Sequence, residues 1–247
     1  MATVKEIYNY IDSIAPFNTQ EEWDNSGLLV GNENAEVNKI LFALDATTDV
    51  INQAVEYGAD LIITHHPVIF KPVANVLSDS LTYKLINNNI SIICAHTNYD
   101  KAIDGVNDIL CKTVGFKNFT KVENTCLNIG SFEKEISVKN FVNHIKNVLG
   151  GVVRYNFLPK DIKNIAVCSG SGSDYLTLAK ELGCDALLTG DASHHAFLDA
   201  DEMGIVLVAA GHFETENLAI EPLMNKIKDK FNITCELAMQ ESPIITI

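Results

Sequence analysis

Six short apolar runs, each bounded by turn residues and interleaved with helical patterns, constrain this chain more than anything else in it. They lie at Lys39–Leu44, Asp60–Thr64, Ile90–Ala95, Asn164–Cys168, Asp185–Thr189 and Gly204–Ala210. Runs of this length are strands. Alternation with helices predicts an α/β chain whose sheets are mixed and mostly parallel. Helix starts are marked by Thr3 with Glu6 as a capping box, by Thr48 ahead of a helix to about Tyr57, by Ser137 ahead of one ending near Gly150, and by Ser173 ahead of one ending near Gly183. The stretch from Gly115 to Glu135 has the least pattern and marks a boundary between lobes.

A faint repeat runs through these units. Shifting Gly58-Ala-Asp-Leu-Ile-Ile-Thr64 by 125 positions lands on Gly183-Cys-Asp-Ala-Leu-Leu-Thr189, and Thr48-Asp49 lands on Ser173-Asp174. Farther on, His96-x-x-x-Asp100 resembles His212-x-x-x-Glu216. The expectation is two interlinked, pseudo-related α/β lobes around a central cleft, residues 1–125 with 210–247 forming one and residues 126–209 the other.

Composition narrows the function. With 247 residues and 47% hydrophobic content, the chain has enough apolar material for its own cores. No apolar run approaches the roughly 20 residues of a membrane span, and the first residues lack an export pattern, so a cytoplasmic protein is expected. Six scattered cysteines without C-x-x-C spacing read as reduced thiols. A nucleophile built on Cys168 or Cys94 finds no supporting histidine spacing. The net charge of −14 disfavours nucleic acid and suits cations.

Six of the seven histidines (His65, His66, His96, His194, His195, His212) fall just beyond the carboxyl ends of candidate strands. That is where open α/β sheets collect ligands. Neutral imidazole is a common metal ligand, and His65-His66-Pro67 puts two rings at one strand end. The pairs His96/Asp100 and His212/Glu216 are each spaced by one helical turn, so either clamps a cation on one helix face. Mixed nitrogen and carboxylate donors suit zinc, iron, manganese or nickel over calcium. Asp100–Asp108 fails as a calcium loop because Ala102 stands where an oxygen ligand is required. Ser169–Asp174 reads either as an anion cradle for an anionic small molecule or as an ordinary strand-to-helix turn. His195 and Asp191 suit proton transfer or substrate orientation, and His96 is a further candidate for that role.

The motifs Trp23-Asp-Asn-Ser-Gly27, Leu44-Asp-Ala-Thr47, Thr64-His-His-Pro67 with Phe70, His96-Thr-Asn-Tyr-Asp100, Gly190-Asp191 with His194-His195, and Gly211-His-Phe-Glu-Thr-Glu216 together resemble the NGG-interacting factor three-like family, often labelled GTP cyclohydrolase 1 type 2 homologues. The resemblance implies a homohexamer and two divalent ions per subunit. It carries the metal ligands onto His65, His66, Asp100, His212 and Glu216. His96 matches a position close to the metals. The activity expected is hydrolysis by a water activated between two ions, with a metal carrier or regulatory protein as the alternative.

Overall fold

The computed structural model describes residues 2–245. The chain forms two compact units, Met1–Ile103 with Ala219–Glu241, and Asp104–Leu218 with Ser242–Ile247. Both are mixed α/β.

In the first unit a five-stranded sheet runs in the order Thr234–Leu237, Lys39–Ala43, Leu61–Thr64, Ser91–Cys94, Gly27–Val30. The first four strands are mutually parallel and Gly27–Val30 joins antiparallel. One face is sealed by Val50, Ile51 and Ala54 of the Thr48–Tyr57 helix and by Leu85, packed on Leu41, Ile62 and Ile92. The capping box at Thr3 and Glu6 starts the Val4–Ile14 helix as expected.

The second unit holds a six-stranded sheet in the order Phe119–Lys121, Asn128–Ser137, Asp161–Cys168, Ala186–Thr189, Val206–Ala209, Arg154–Tyr155. Its central strands are parallel and its edges antiparallel. Alternate residues serve opposite faces. Ile165, Val167, Leu188 and Val206 meet Leu110, Phe141 and Ile145, while Ala166, Leu187 and Leu207 meet Leu176, Ala179 and Ala200. A sheet covered on both sides reads as continuous apolar runs, which is why these strands stood out in the sequence.

Two expectations differ from the structure. Residues 115–135, expected to be a patternless boundary, contain the strand Phe119–Lys121 and most of its antiparallel partner Asn128–Ser137. Strands on a sheet edge carry exposed polar residues, so apolar runs do not reveal them. The units also divide at Ile103 and Leu218 rather than at 125 and 210, because Leu110, Cys111 and Val114 of the Val106–Val114 helix pack into the second unit's core. His212 and Glu216 therefore belong to the second unit.

The repeat is structural. Ile40 pairs with Leu61, and Ile165 with Ala186, so both partners shift by 125 (165 − 40 and 186 − 61). Asp60 Oδ2 accepts the N–H groups of Asn38 and Lys39, and Asp185 Oδ2 accepts those of Lys163 and Asn164. Gly58 and Gly183 both take left-handed backbone, at φ 72° and 75°.

Candidate metal centre

At the carboxyl end of the Leu61–Thr64 strand, the N–H groups of His65 and His66 still pair with Ala43 and Leu44, and Thr64 Oγ1 donates to the His66 carbonyl at 2.8 Å. The chain turns there with both imidazoles on one side. Their ring centroids lie 5.1 Å apart. His96, just past the Ser91–Cys94 strand, adds a third ring 5.1 Å from His65 and 5.4 Å from His66. All three offer ring nitrogens within 4.8 Å of one another. Asp100, buried in the short Thr97–Lys101 helix, sets Oδ1 3.7 Å from His65 Nε2.

Each ring is held from behind. His65 Nδ1 donates to the Ala95 carbonyl at 2.8 Å, His66 Nδ1 to Asp45 at 2.7 Å, and His96 Nδ1 to Asp24 at 2.8 Å. An oxygen acceptor on Nδ1 fixes the proton there and leaves Nε2 of the neutral ring with its lone pair, the arrangement that outer groups give to metal-binding histidines. Asp24 is itself anchored by Thr97 N–H and Oγ1 and by Ser26 Oγ. Burial opposes its ionisation, but the hydrogen bond from His96, then those from Thr97 and Asn25, outweigh it and hold the carboxyl well below its ordinary range.

The second unit carries a related pair. His212 opens the five-residue helix His212–Glu216, and its Nε2 lies 3.0 Å from Glu216 Oε2. Asp191 accepts from His212 Nδ1 at 2.8 Å, repeating the pattern seen on the other rings. Gly170 makes room: a Cβ there would stand 2.1 Å from Glu216 Oε1 and 3.2 Å from His212 Nε2, and its φ of +58° is left-handed. Gly190 is equally crowded, against the Gly170 carbonyl, Thr215 Oγ1 and His212 Cα.

The glycine-rich loop has a structural duty. The N–H groups of Ser169, Gly170 and Gly172 are committed to Asn107 Oδ1, Thr215 Oγ1 and Thr189 Oγ1. They build the floor beneath His212 and Glu216.

The third repeat unit is offset by one residue from the alignment read in the sequence. Ser91 and Val206 occupy the same register against their neighbours, a shift of 115, so Thr97 and not His96 corresponds to His212 (97 + 115 = 212). Both begin five-residue helices. His212 accordingly meets Glu216, whereas Asp100 turns to His65 and His96 to Asp24.

His194 and His195 start the His194–Met203 helix. His195 is exposed and lines a surface cavity of about 390 Å³ with Ser173 and Asp174. The sequence reading met Asp24 and Asp45 only inside family motifs and Gly170 only inside the Ser169–Asp174 loop, and gave none of the three a role at the metal centre. Asp45 follows a strand end just as the histidines do, and that position was the available signal.

The donor chemistry fits a divalent transition metal: neutral imidazole nitrogens with buried carboxylates nearby. Burial raises the Cys94 thiol well above its ordinary range, which disfavours it as a nucleophile.

The model of Duf34/NIF3 (NGG1p interacting factor 3) matches residues 2–246. The chain belongs to that family. Among its relatives, a GTP cyclohydrolase 1 type 2 homolog from Clostridium perfringens is 36% identical over 96% of each chain. A Helicobacter pylori protein named GTP cyclohydrolase 1 type 2 is 32% identical over 99% of each. The crystal structure of a Staphylococcus aureus hypothetical protein superposes with a TM-score of 0.92 at 29% identity, covering 99% of both chains. Family membership accounts for the α/β architecture. No helix among the described residues is long and apolar enough to cross a membrane.

Proposed function

We propose that this protein is a metal-dependent hydrolase that holds two divalent ions on His65, His66 and Asp100 of the first unit and His212 and Glu216 of the second. One observation carries the reading: four histidines, His65, His66, His96 and His212, each have Nδ1 engaged by an oxygen, so each presents the same lone-pair nitrogen. The two donors of the His212–Glu216 pair fall short of the three or four protein ligands of ordinary metal sites, so that pair calls for further ligands. The names of the relatives make ring-opening hydrolysis of a purine nucleotide one candidate reaction; phosphoester cleavage, which also begins with attack by an activated water, is another.

When bound, a pair of divalent ions supplies Lewis acidity and brings the ionisation of water toward neutral pH. The chain's own residues do the rest. Asp45, Asp24 and Asp191 fix the ring orientations, with Asp191 acting through His212 as a positioning residue. The buried carboxylates of Asp100 and Glu216 offset part of the ions' charge. Proton exchange with solvent is given to His195, which is exposed.

The test is a substrate screen on protein purified without chelator, alongside elemental mass spectrometry. The expected result is activity that disappears together with bound metal in His66→Ala. Stoichiometric metal with no turnover across the screen would instead support a carrier. Metal-free native protein sinks the proposal. The same reading carries a homohexamer, for which native mass spectrometry should find six times the 27.1 kDa chain.

A further inference from the structure

Trp23, the chain's sole tryptophan, is 59% exposed, and Phe70 is 48% exposed. Their rings lie 5.8 Å apart at 34°. Both meet His96 at steep angles, Trp23 at 6.0 Å and 73°, Phe70 at 6.3 Å and 71°. An apolar aromatic pair left in water is unfavourable, so its retention beside three clustered imidazoles asks for an explanation.

The pair is also held in place from below. Asp24, next in the chain to Trp23, is fixed by Thr97 and Ser26, while Ser26 Oγ accepts the His96 N–H at 3.1 Å. Asn25 Nδ2 donates to the Ile69 carbonyl at 2.6 Å, tying the segment that carries Phe70 to the turn that carries Trp23. The same two residues, Asp24 and Asn25, therefore orient a candidate ligand histidine and pin both exposed rings. Little ordering remains to be done when a third planar group arrives.

We propose that Trp23 and Phe70 are the stacking surface for a planar nitrogen heterocycle of the substrate, held there with its edge toward the His65–His66–His96 cluster. The proposal deepens the hydrolase reading and rests on it for the identity of the ligand as substrate. Aromatic faces stack on any base-like ring. A small ligand accounts for the placement better than a second copy of the chain, because a protein surface seated on Trp23 and Phe70 would also cover the ring of His96.

Because no other tryptophan contributes, selective excitation reads this surface directly. Guanosine and adenosine serve as planar probes, and ribose 5-phosphate as a control with the sugar and phosphate but no ring. The expected result is saturable, absorbance-corrected quenching by the nucleosides and none by ribose 5-phosphate. Phe70→Ala should weaken nucleoside binding about 5- to 150-fold, the range that loss of one stacking partner implies. Phe70→Tyr should bind as the native protein does, and Phe70→Leu, which keeps apolar bulk without a π face, should resemble Phe70→Ala. Melting curves of the three variants should match. No quenching, equal binding by Phe70→Ala, or equal competition by ribose 5-phosphate overturns the proposal. So does a change in oligomer mass in Phe70→Ala with nucleoside affinity unaltered, which would make the patch a subunit contact. Metal content measured in the same samples separates the two readings, since metal-free protein that still shows ring-dependent quenching fails only the hydrolase assignment.

Discussion

Four imidazoles turn Nδ1 toward an oxygen, which makes the acceptors as consequential as the rings. Asp45 accepts from His66 Nδ1 and Asp191 from His212 Nδ1, so each sets a tautomer. Asp45→Asn and Asp191→Asn keep shape but remove the charge that favours the Nδ1 proton. Each should weaken metal binding roughly 10- to 100-fold while leaving the melting temperature of chelator-treated protein nearly unmoved; competition with a chromophoric chelator measures the first and a thermal scan the second. Unchanged affinity would mean that these carboxylates merely cap exposed rings. Gly170 makes the opposite demand, for the absence of atoms. Gly170→Ala should cost at least about 1–2 kcal/mol from left-handed backbone alone, and its Cβ would also displace Glu216 from 2.1 Å away. Urea denaturation should report the first effect and metal stoichiometry the second.

Element by element, the legible parts are those where local chemistry and burial agree. The six apolar runs are strands to within two or three residues at each end, and the caps at Thr3 and Ser137 work as their sequences imply. The edge pair at residues 119–137 was hidden because exposed strands have no need of apolar runs. The one-residue offset between His96 and His212 was hidden as well, since only strand pairing fixes register. Asp24 was hidden for another reason: its partner Thr97 is 73 residues away, and no local pattern encodes that contact. The repeat makes an element-scale prediction. Asp60 and Asp185 hold the same position in their βαβ units, each accepting two backbone N–H groups. Asp60→Ala and Asp185→Ala should therefore destabilise by similar amounts, about 1–3 kcal/mol each. Denaturant midpoints that differ severalfold between the two would show that the shared register carries no shared energetics.

For the whole molecule, the balance of charge and buried thiols sets how stability answers to metal and to pH. An ion that binds the folded chain alone stabilises it by about 2.7 kcal/mol at a hundred times its dissociation constant, which for units of this size is a rise in melting temperature of roughly 5–15 °C. Zinc or manganese should raise the native protein and leave His65→Ala nearly unmoved, and an equal rise in both would place binding elsewhere on a surface carrying a net charge of −14. The pH response comes from other groups. Burial raises Cys111 from 9.0 to about 12 and Cys184 to about 11. A thiol that ionises more readily when unfolded adds stability that is fully present below its unfolded pKa and is lost as pH climbs toward the folded value. Melting temperatures should thus fall between about pH 9 and pH 12. Cys184→Ala should flatten part of that fall, and at pH 8 a thiol reagent should label Cys111 and Cys184 only after denaturant is added. Rapid labelling of the native protein at those two positions would contradict the burial that raises them, whatever the metal content proves to be.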